Sequence, residues 1–223
     1  LSRILTALPE YYLVQKNFRR LTMDKQAATN IAVLCGSLGG RPIFSHSCHG
    51  RDYYTFPLVV PRLSGTEDSV NIIAEKTVIE SAEITENFSV RISGELRSYN
   101  NKSGEGNRLK IFLYAFDIKL CDGPFENSII LSGTLCKEPR LRYTPLGREI
   151  CDMLLAVNRP FGHSDYLPCI CWGQLAREAS ELTVGNEIEL CGRIQSRDYI
   201  KNLDGIKITK TAYEVSAMEL RRA

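Results

Sequence analysis

Short runs in which β-branched and apolar residues mix with polar ones recur along most of the chain. In the second half they are Asn127–Leu135, Glu149–Val157, Pro168–Trp172, Glu187–Ile194 and Ile206–Val215, several of them bounded by turn residues. Segments of this length and make-up predict β-strands. One segment breaks the pattern. Gln174–Leu182 is rich in helix formers and places apolar residues at 175, 176, 179 and 182, which predicts a short amphipathic helix. Glu75–Glu83 occupies the matching place in the first half, with weaker periodicity. No apolar run approaches the ~20 residues needed to cross a bilayer.

The same pattern occurs twice. Asn30-Ile-Ala-Val-Leu-Cys-Gly36-Ser-Leu38 echoes Asn127-Ser-Ile-Ile-Leu-Ser-Gly133-Thr-Leu135 at an offset of 97 residues. That offset also carries Gly50 to Gly147, Arg51 to Arg148, Leu58 to Leu155, Arg62 to Arg159 and Asp68 to Asp165. Later it becomes 98, carrying Gly94 to Gly192 and Ser98 to Ser196. A register held this long marks two tandem copies of one unit. Strands, then one helix, then strands within ~100 residues is the order of an OB-fold, a five-stranded Greek-key barrel. The expected architecture is all-β: two tandem OB-fold five-stranded barrels, each with one short helix. Residues 23–120 form the first copy, 121–126 the linker, with Asp122-Gly-Pro-Phe as its turn signal, and 127–223 the second. Residues 1–22 match neither copy and precede a plausible start at Met23, so they are read as an N-terminal extension. Ser103-Gly-Glu-Gly106 and Asn202-Leu-Asp-Gly205 are expected as hairpin tips.

Composition changes this picture little. The net charge of +2 neither requires nor excludes an acidic partner, because local clustering decides that. None of the eight cysteines forms a C-x-x-C pair, and several sit in apolar runs. They are read as reduced, buried small hydrophobes in a cytoplasmic protein.

The chemistry concentrates in the second copy. Phe161, Tyr166, Trp172 and Tyr199 fall at strand ends or strand–loop junctions, with Tyr143 as a further aromatic. Arg140, Arg142, Arg148, Arg159, Arg193, Arg197 and Lys201 interleave with them. Aromatic faces on which bases stack, together with cations that follow phosphates, are what a barrel needs to grip single-stranded nucleic acid.

A resemblance becomes specific over Asn127–Tyr199. Gly133-Thr-Leu-Cys-Lys-Glu-Pro139-Arg-Leu-Arg142-Tyr143-Thr-Pro-Leu-Gly147 resembles the first hairpin of the bacterial single-stranded DNA-binding protein family. Leu155-Ala-Val-Asn-Arg159 resembles its second strand, and Trp172-Gly-Gln-Leu-Ala-Arg-Glu-Ala-Ser its strand-to-helix passage. Gly185-Asn-Glu-Ile-Glu-Leu-Cys-Gly192-Arg-Ile-Gln-Ser-Arg197-Asp-Tyr199 resembles its later strand. The resemblance places the base-stacking aromatics at Phe161, Tyr166, Trp172 and Tyr199 and a basic contact at Arg197. It implies sequence-tolerant binding of single-stranded DNA in replication, repair or recombination, without catalysis, cofactor or metal. Arg142, Arg148, Arg159, Arg193 and Lys201 are expected along the backbone path. Because that family builds four-barrel particles, a tandem chain is expected to form a homodimer. The family's acidic C-terminal tip has no counterpart in Ala217-Met-Glu-Leu-Arg-Arg-Ala223, so recruitment of replication enzymes by that route is not expected.

The first copy departs from the pattern. Ser69 stands where the second has Tyr166, and Glu75 where it has Trp172, while Tyr99 lies near the Tyr199 place. Residues 23–126 carry 11 basic and 13 acidic side chains, against 13 and 12 in residues 127–223. Copy one is therefore expected to bind nucleic acid weakly or not at all, with Tyr53, Tyr54 and Phe56 in its core or at an interface. These features also leave open a replication accessory of primosomal type, or an interaction module that has lost strong DNA binding. His46-Ser-Cys48-His49 lacks the four ligands of a structural zinc site and is read as a turn between strands. His163-Ser-Asp165 is read as a solvated strand connection, since no G-x-S-x-G elbow accompanies it.

Overall fold

The computed structural model describes residues 29–223, apart from residues 63, 83–88, 103–107, 122, 124 and 204–205. The N-terminal extension and the first expected hairpin tip lie outside the described residues, as do Asp204 and Gly205 of the second tip.

Copy one comprises β1 (Asn30–Leu38), β2 (Ile43–Cys48), β3 (Arg51–Pro61), β4 (Glu67–Glu75), α1 (Lys76–Ser81), β5 (Ser89–Asn100) and β6 (Leu109–Leu120). Copy two repeats the order. It runs β7 (Asn127–Leu135), β8 (Arg140–Tyr143), β9 (Glu149–Asn158), a single 3-10 turn at Pro160–Gly162, β10 (Ser164–Trp172), α2 (Gln174–Ser180), β11 (Glu187–Leu203) and β12 (Ile206–Arg222). Among the described residues the chain is all-β with two short helices.

Each copy curls into a circuit of five paired strands. In the first, β1 pairs with β3 and β5, β3 with β4, β4 in parallel with β6, and β6 with β5. In the second, β7 pairs with β9 and β11, β9 with β10, β10 in parallel with β12, and β12 with β11. Period-two alternation fills the interior. On β5, Val90, Ile92 and Leu96 point in and are fully buried, while Arg91, Glu95 and Arg97 point out. Leu34, Phe56, Leu58, Ile72 and Leu113 complete one core, and Leu131, Leu135, Leu155, Leu190 and Cys171 belong to the other.

The matched glycines stand where strands cross closely. A Cβ on Gly36 would collide with the Val59 carbonyl, and one on Gly133 with that of Ala156, where each circuit closes. Gly94 and Gly192 sit on β5 and β11 opposite bulges in β6 and β12 and are hemmed in by the carbonyls of Tyr114 and Ser216. Asn30 and Asn127 are a further matched pair. Asn30 donates through Nδ2 to Leu96 O (2.6 Å) and accepts from Leu96 N (3.0 Å). Asn127 does the same with Ile194 O (2.8 Å) and Ile194 N (2.9 Å).

The copies are joined by a sheet and by two reciprocal clasps. β1 and β7 pair antiparallel, from Asn30 opposite Leu131 to Leu34 opposite Asn127, so one ladder runs from barrel to barrel. On one side of the junction, the buried Asp68 of copy one accepts from the amide (2.6 Å) and hydroxyl (2.9 Å) of Ser196 in copy two. Arg62 binds both carboxylate oxygens of Asp68 and donates to Ser196 O (2.7 Å). On the other side, the buried Asp165 of copy two accepts from the Ser98 amide of copy one (2.6 Å), and Ser98 Oγ accepts from Tyr166 N (2.7 Å). Arg159 Nε lies 3.0 Å from Asp165 Oδ2, but the two are not aligned for a hydrogen bond. The carboxyls differ accordingly. Burial pushes Asp68 up, but the bonds from Arg62 and Ser196 outweigh it and hold the group below its ordinary value. At Asp165 burial prevails over the Ser98 amide and Arg159, and the group is raised.

The structure corrects several expectations. Asp165 is not part of a solvated connection. It opens β10 and is fully buried, because the clasp to Ser98 draws it into the junction. Cys35 and Cys121 are joined as a disulfide rather than held as separate thiols. Both flank β5, since Cys35 pairs opposite Arg91 and Cys121 follows the end of β6, which pairs with the start of β5. Cys48 is exposed. β11 and β12 run far beyond the predicted Ile194 and Val215, because the hairpin continues past the barrel core, and Tyr213 on β12 donates its hydroxyl to Ser69 O of copy one (2.7 Å).

Candidate nucleic-acid interface

Alternation decides which side chains of copy two share a surface. On β10, Tyr166, Ile170 and Trp172 are two or four residues apart and lie on the outward side. On β11, Arg193, Gln195, Arg197 and Tyr199 form a second outward row, while Ile194 is buried in the core. β12 lies between these rows and contributes Glu214, which pairs opposite Gln195. On the far side of β10, Trp172 pairs opposite Ile150 of β9, and Ile150 in turn opposite Arg142 of β8.

These rows converge on a cleft of about 320 Å³. Ile150 and Ile170 contribute apolar surface, Trp172 supplies an aromatic wall, and Arg142, Arg197 and Arg62 bring three guanidinium groups. Trp172 is 39 % exposed, and its indole N–H donates to Ser216 Oγ (3.2 Å), which fixes the ring at the rim. The cleft also holds acid. Arg142 is paired with both oxygens of Asp152, which raises its pKa further. Glu214 is pushed up by burial and by Asp152, against the pull of Arg197, Arg142 and Arg62. The surface thus offers stacking area and positive charge, with Asp152 already paired to Arg142 and the Glu214 charge acting on the same guanidinium groups.

Other expected residues lie elsewhere. Phe161 is 97 % exposed on the connection from β9 to β10, held out by a left-handed backbone (φ 65°). Tyr143 points to the opposite side of β8 from Arg142, where its hydroxyl donates to Glu149 Oε1 (3.2 Å) beside Arg177. Arg148 follows the Thr144–Gly147 turn and is exposed. Arg159 is turned into the barrel junction, with its Nε buried against Asp165, so the clasp and not the outward face holds it. The backbone of Lys201 belongs to β11, but its side chain lies outside the described residues.

Two contributors to the cleft escaped the sequence pattern. Glu214 is an acid in a surface sought through its cations, with Asp152 paired to Arg142, and Arg62 arrives from the other copy. The only sequence signal for Arg62 was its match with Arg159. In copy one, Phe56 is core, whereas Tyr53 is partly exposed and stacks on His46 (5.0 Å). His49 and Gly50 form the turn between β2 and β3.

Residues 126–222 match the Single-strand binding protein family. The match covers the second copy and not the first. Within the family, single-stranded DNA-binding protein 3 of Listeria innocua is 38 % identical over 92 residues, 38 % of this chain and 57 % of that protein. Single-stranded DNA-binding protein A of Bacillus subtilis is 33 % identical over 100 residues, 42 % of this chain and 58 % of that protein. The chain spans about half the length of the curated relatives it matches. The likeness in fold extends across both copies. The wild-type single-stranded DNA binding protein from Thermus aquaticus superposes with a TM-score of 0.70 at 23 % identity, covering 87 % of this chain and 92 % of that one.

Proposed function

We propose that the chain captures single-stranded DNA without strong sequence preference, on the outward face of copy two. The observation that carries this reading is the convergence of Trp172, Arg142 and Arg197 on one cleft of the barrel that matches the family. Bases stack on Trp172 and Tyr166, and Phe161 reaches the strand from its exposed connection. Phosphates follow Arg142, Arg193 and Arg197 toward Tyr199. Stacking tolerates any base because every base has a π-face, and phosphate contacts add affinity that falls with salt. The role that fits is protection of exposed strands in replication, repair or recombination, in the cytoplasm and without catalysis. A homodimer would present four barrels, the number that the family resemblance implies.

Trp172 is the chain's single tryptophan, so its fluorescence reports on this reading directly. Titration with oligo(dT) is expected to quench it saturably, with affinity falling steeply as salt rises. Trp172→Ala, followed by anisotropy of a labelled oligonucleotide, is expected to weaken binding by roughly five- to a hundredfold, the value of one stacked base. Unchanged fluorescence together with no anisotropy change in the wild type would reject the reading. Light scattering of the free protein tests the dimer.

A further inference from the structure

A second cleft lies between the barrels. It measures about 410 Å³ and takes its walls from both copies: Asn71, Tyr99, Lys110 and Phe112 from the first, Lys210 and Tyr213 from the second. Its lining includes two lysines and three aromatic rings and contains no carboxylate, in contrast to the cleft of copy two with Glu214. Beside the cleft, Asp198 accepts from the Thr211 hydroxyl (2.7 Å). Tyr99 is 52 % exposed and meets Phe112 edge-on at 5.9 Å, so a ring face stands available beside cationic side chains.

Strand register shows where these rings come from. Phe112 pairs opposite Arg97 on β5, as Glu214 pairs opposite Gln195 on β11. Phe112 therefore occupies the place that Glu214 has in copy two. By the same register Tyr99 occupies the place of Arg197, not that of Tyr199. Copy one lacks aromatics at Ser69 and Glu75 on β4 but carries them on the next two strands, β6 and β5, of the same outward face.

We propose that this junction cleft is a second subsite for single-stranded DNA, resting on the reading of copy two given above. Bases stack on Tyr99 and Phe112, and phosphates meet Lys110 and Lys210. Continuity along the β11–β12 hairpin names the occupant. Arg197 pairs opposite Ala212 and Tyr199 opposite Lys210, so a strand leaving the copy-two cleft along this ribbon arrives at the junction. Copy one then contributes to binding through residues of its own rather than through the family's stacking positions.

The test uses the full chain and oligo(dT) of increasing length, followed by Trp172 quenching and by anisotropy. The Tyr99→Ala/Phe112→Ala variant is expected to bind short oligonucleotides that fill only the copy-two cleft as the wild type does. With longer ones it should forfeit the additional affinity, a roughly ten- to hundredfold loss for one or two bases unstacked. Equal affinities of variant and wild type at every length would overturn the proposal. Absence of quenching and binding at all lengths in the wild type would instead defeat the reading of copy two. Photo-crosslinking of the unmodified protein to long bromouracil-substituted oligonucleotides guards against a variant that misfolds. Adducts on peptides containing Tyr99 or Phe112 support the subsite, and adducts confined to residues 127–223 refute it.

Discussion

The two clasps at the barrel junction have the same residues at matched positions but should not carry the same energy. In Asp68→Ala, the Ser196 amide and hydroxyl both lose their acceptor, and Arg62 loses a partner at each carboxylate oxygen. An orphaned buried amide costs ~1–3 kcal/mol. Removing one member of a buried ion pair costs ~3–5 kcal/mol. Arg62 is 29 % exposed and keeps its bond to Ser196 O, so only part of the second figure applies. The expected loss is about 3–4 kcal/mol, a large share of the ~5–15 kcal/mol typical of a folded protein. In Asp165→Ala, the Ser98 amide is orphaned in the same way, but the Arg159 contact it removes is unaligned, and the carboxylate it removes is itself raised by burial. The expected loss there is about 1–2 kcal/mol. Urea denaturation of each full-length variant, fitted for midpoint and slope, measures both. Equal losses, or a loss under about 1 kcal/mol for Asp68→Ala, would refute the reasoning, since one unpaired buried amide alone reaches that figure. The pH dependence separates them further. Asp68 is depressed, so its stabilisation is present above the ordinary carboxylate range and is lost as pH falls through its lowered value. Asp165 is raised, so its contribution is full below the ordinary value and is lost as pH rises through the raised one. Asp165→Asn should therefore cost less stability at pH 7 than Asp68→Asn.

Glu214 shares the copy-two cleft with Arg197, Arg142 and Arg62, and burial raises it, so it should take up a proton on acidification before ordinary carboxylates do. Affinity for oligo(dT) is expected to rise as pH falls into the mildly acidic range; Glu214→Gln should bind about three- to tenfold tighter at neutral pH, as removal of ~1 kcal/mol of like-charge repulsion in a part-solvated groove implies, and lose that rise. An unchanged pH profile in the variant would count against it. Arg142→Ala is expected to lower the slope of log affinity against log salt by about 0.7, the share of one phosphate contact on a single strand. A slope equal to that of the wild type would remove Arg142 from the path. Gly192→Ala forces a methyl group into the Ser216 carbonyl beside the β12 bulge, and calorimetry should register a loss of at least about 1 kcal/mol; a variant as stable as the wild type would mean that the bulge relaxes freely.

The internal match at offsets of 97 and 98 was already a statement about structure. Its asparagines bind neighbouring backbone, its glycines sit at closures and bulges, and its Arg, Asp and Ser residues form the clasps. Period-two alternation, which is local, also put Trp172 with Tyr166 and Arg197 with Arg193 on common sides of their strands. What no local pattern contains is the neighbour from the other copy. Arg62 and Arg159 are the same residue at matched positions, yet one lines the DNA cleft proposed for copy two and the other is drawn against Asp165. Tyr99 and Phe112 read as unremarkable alternation within copy one, and only the tertiary arrangement sets them across a cleft from Lys210. The residues themselves determined two barrels and the face on which copy two carries its aromatics. The pairing of β1 with β7, a contact between segments 97 residues apart, brings the copies together, so that both arginines meet a carboxylate at the junction and Arg62 also borders the cleft of copy two, because tertiary contact fixes what lies beside each side chain.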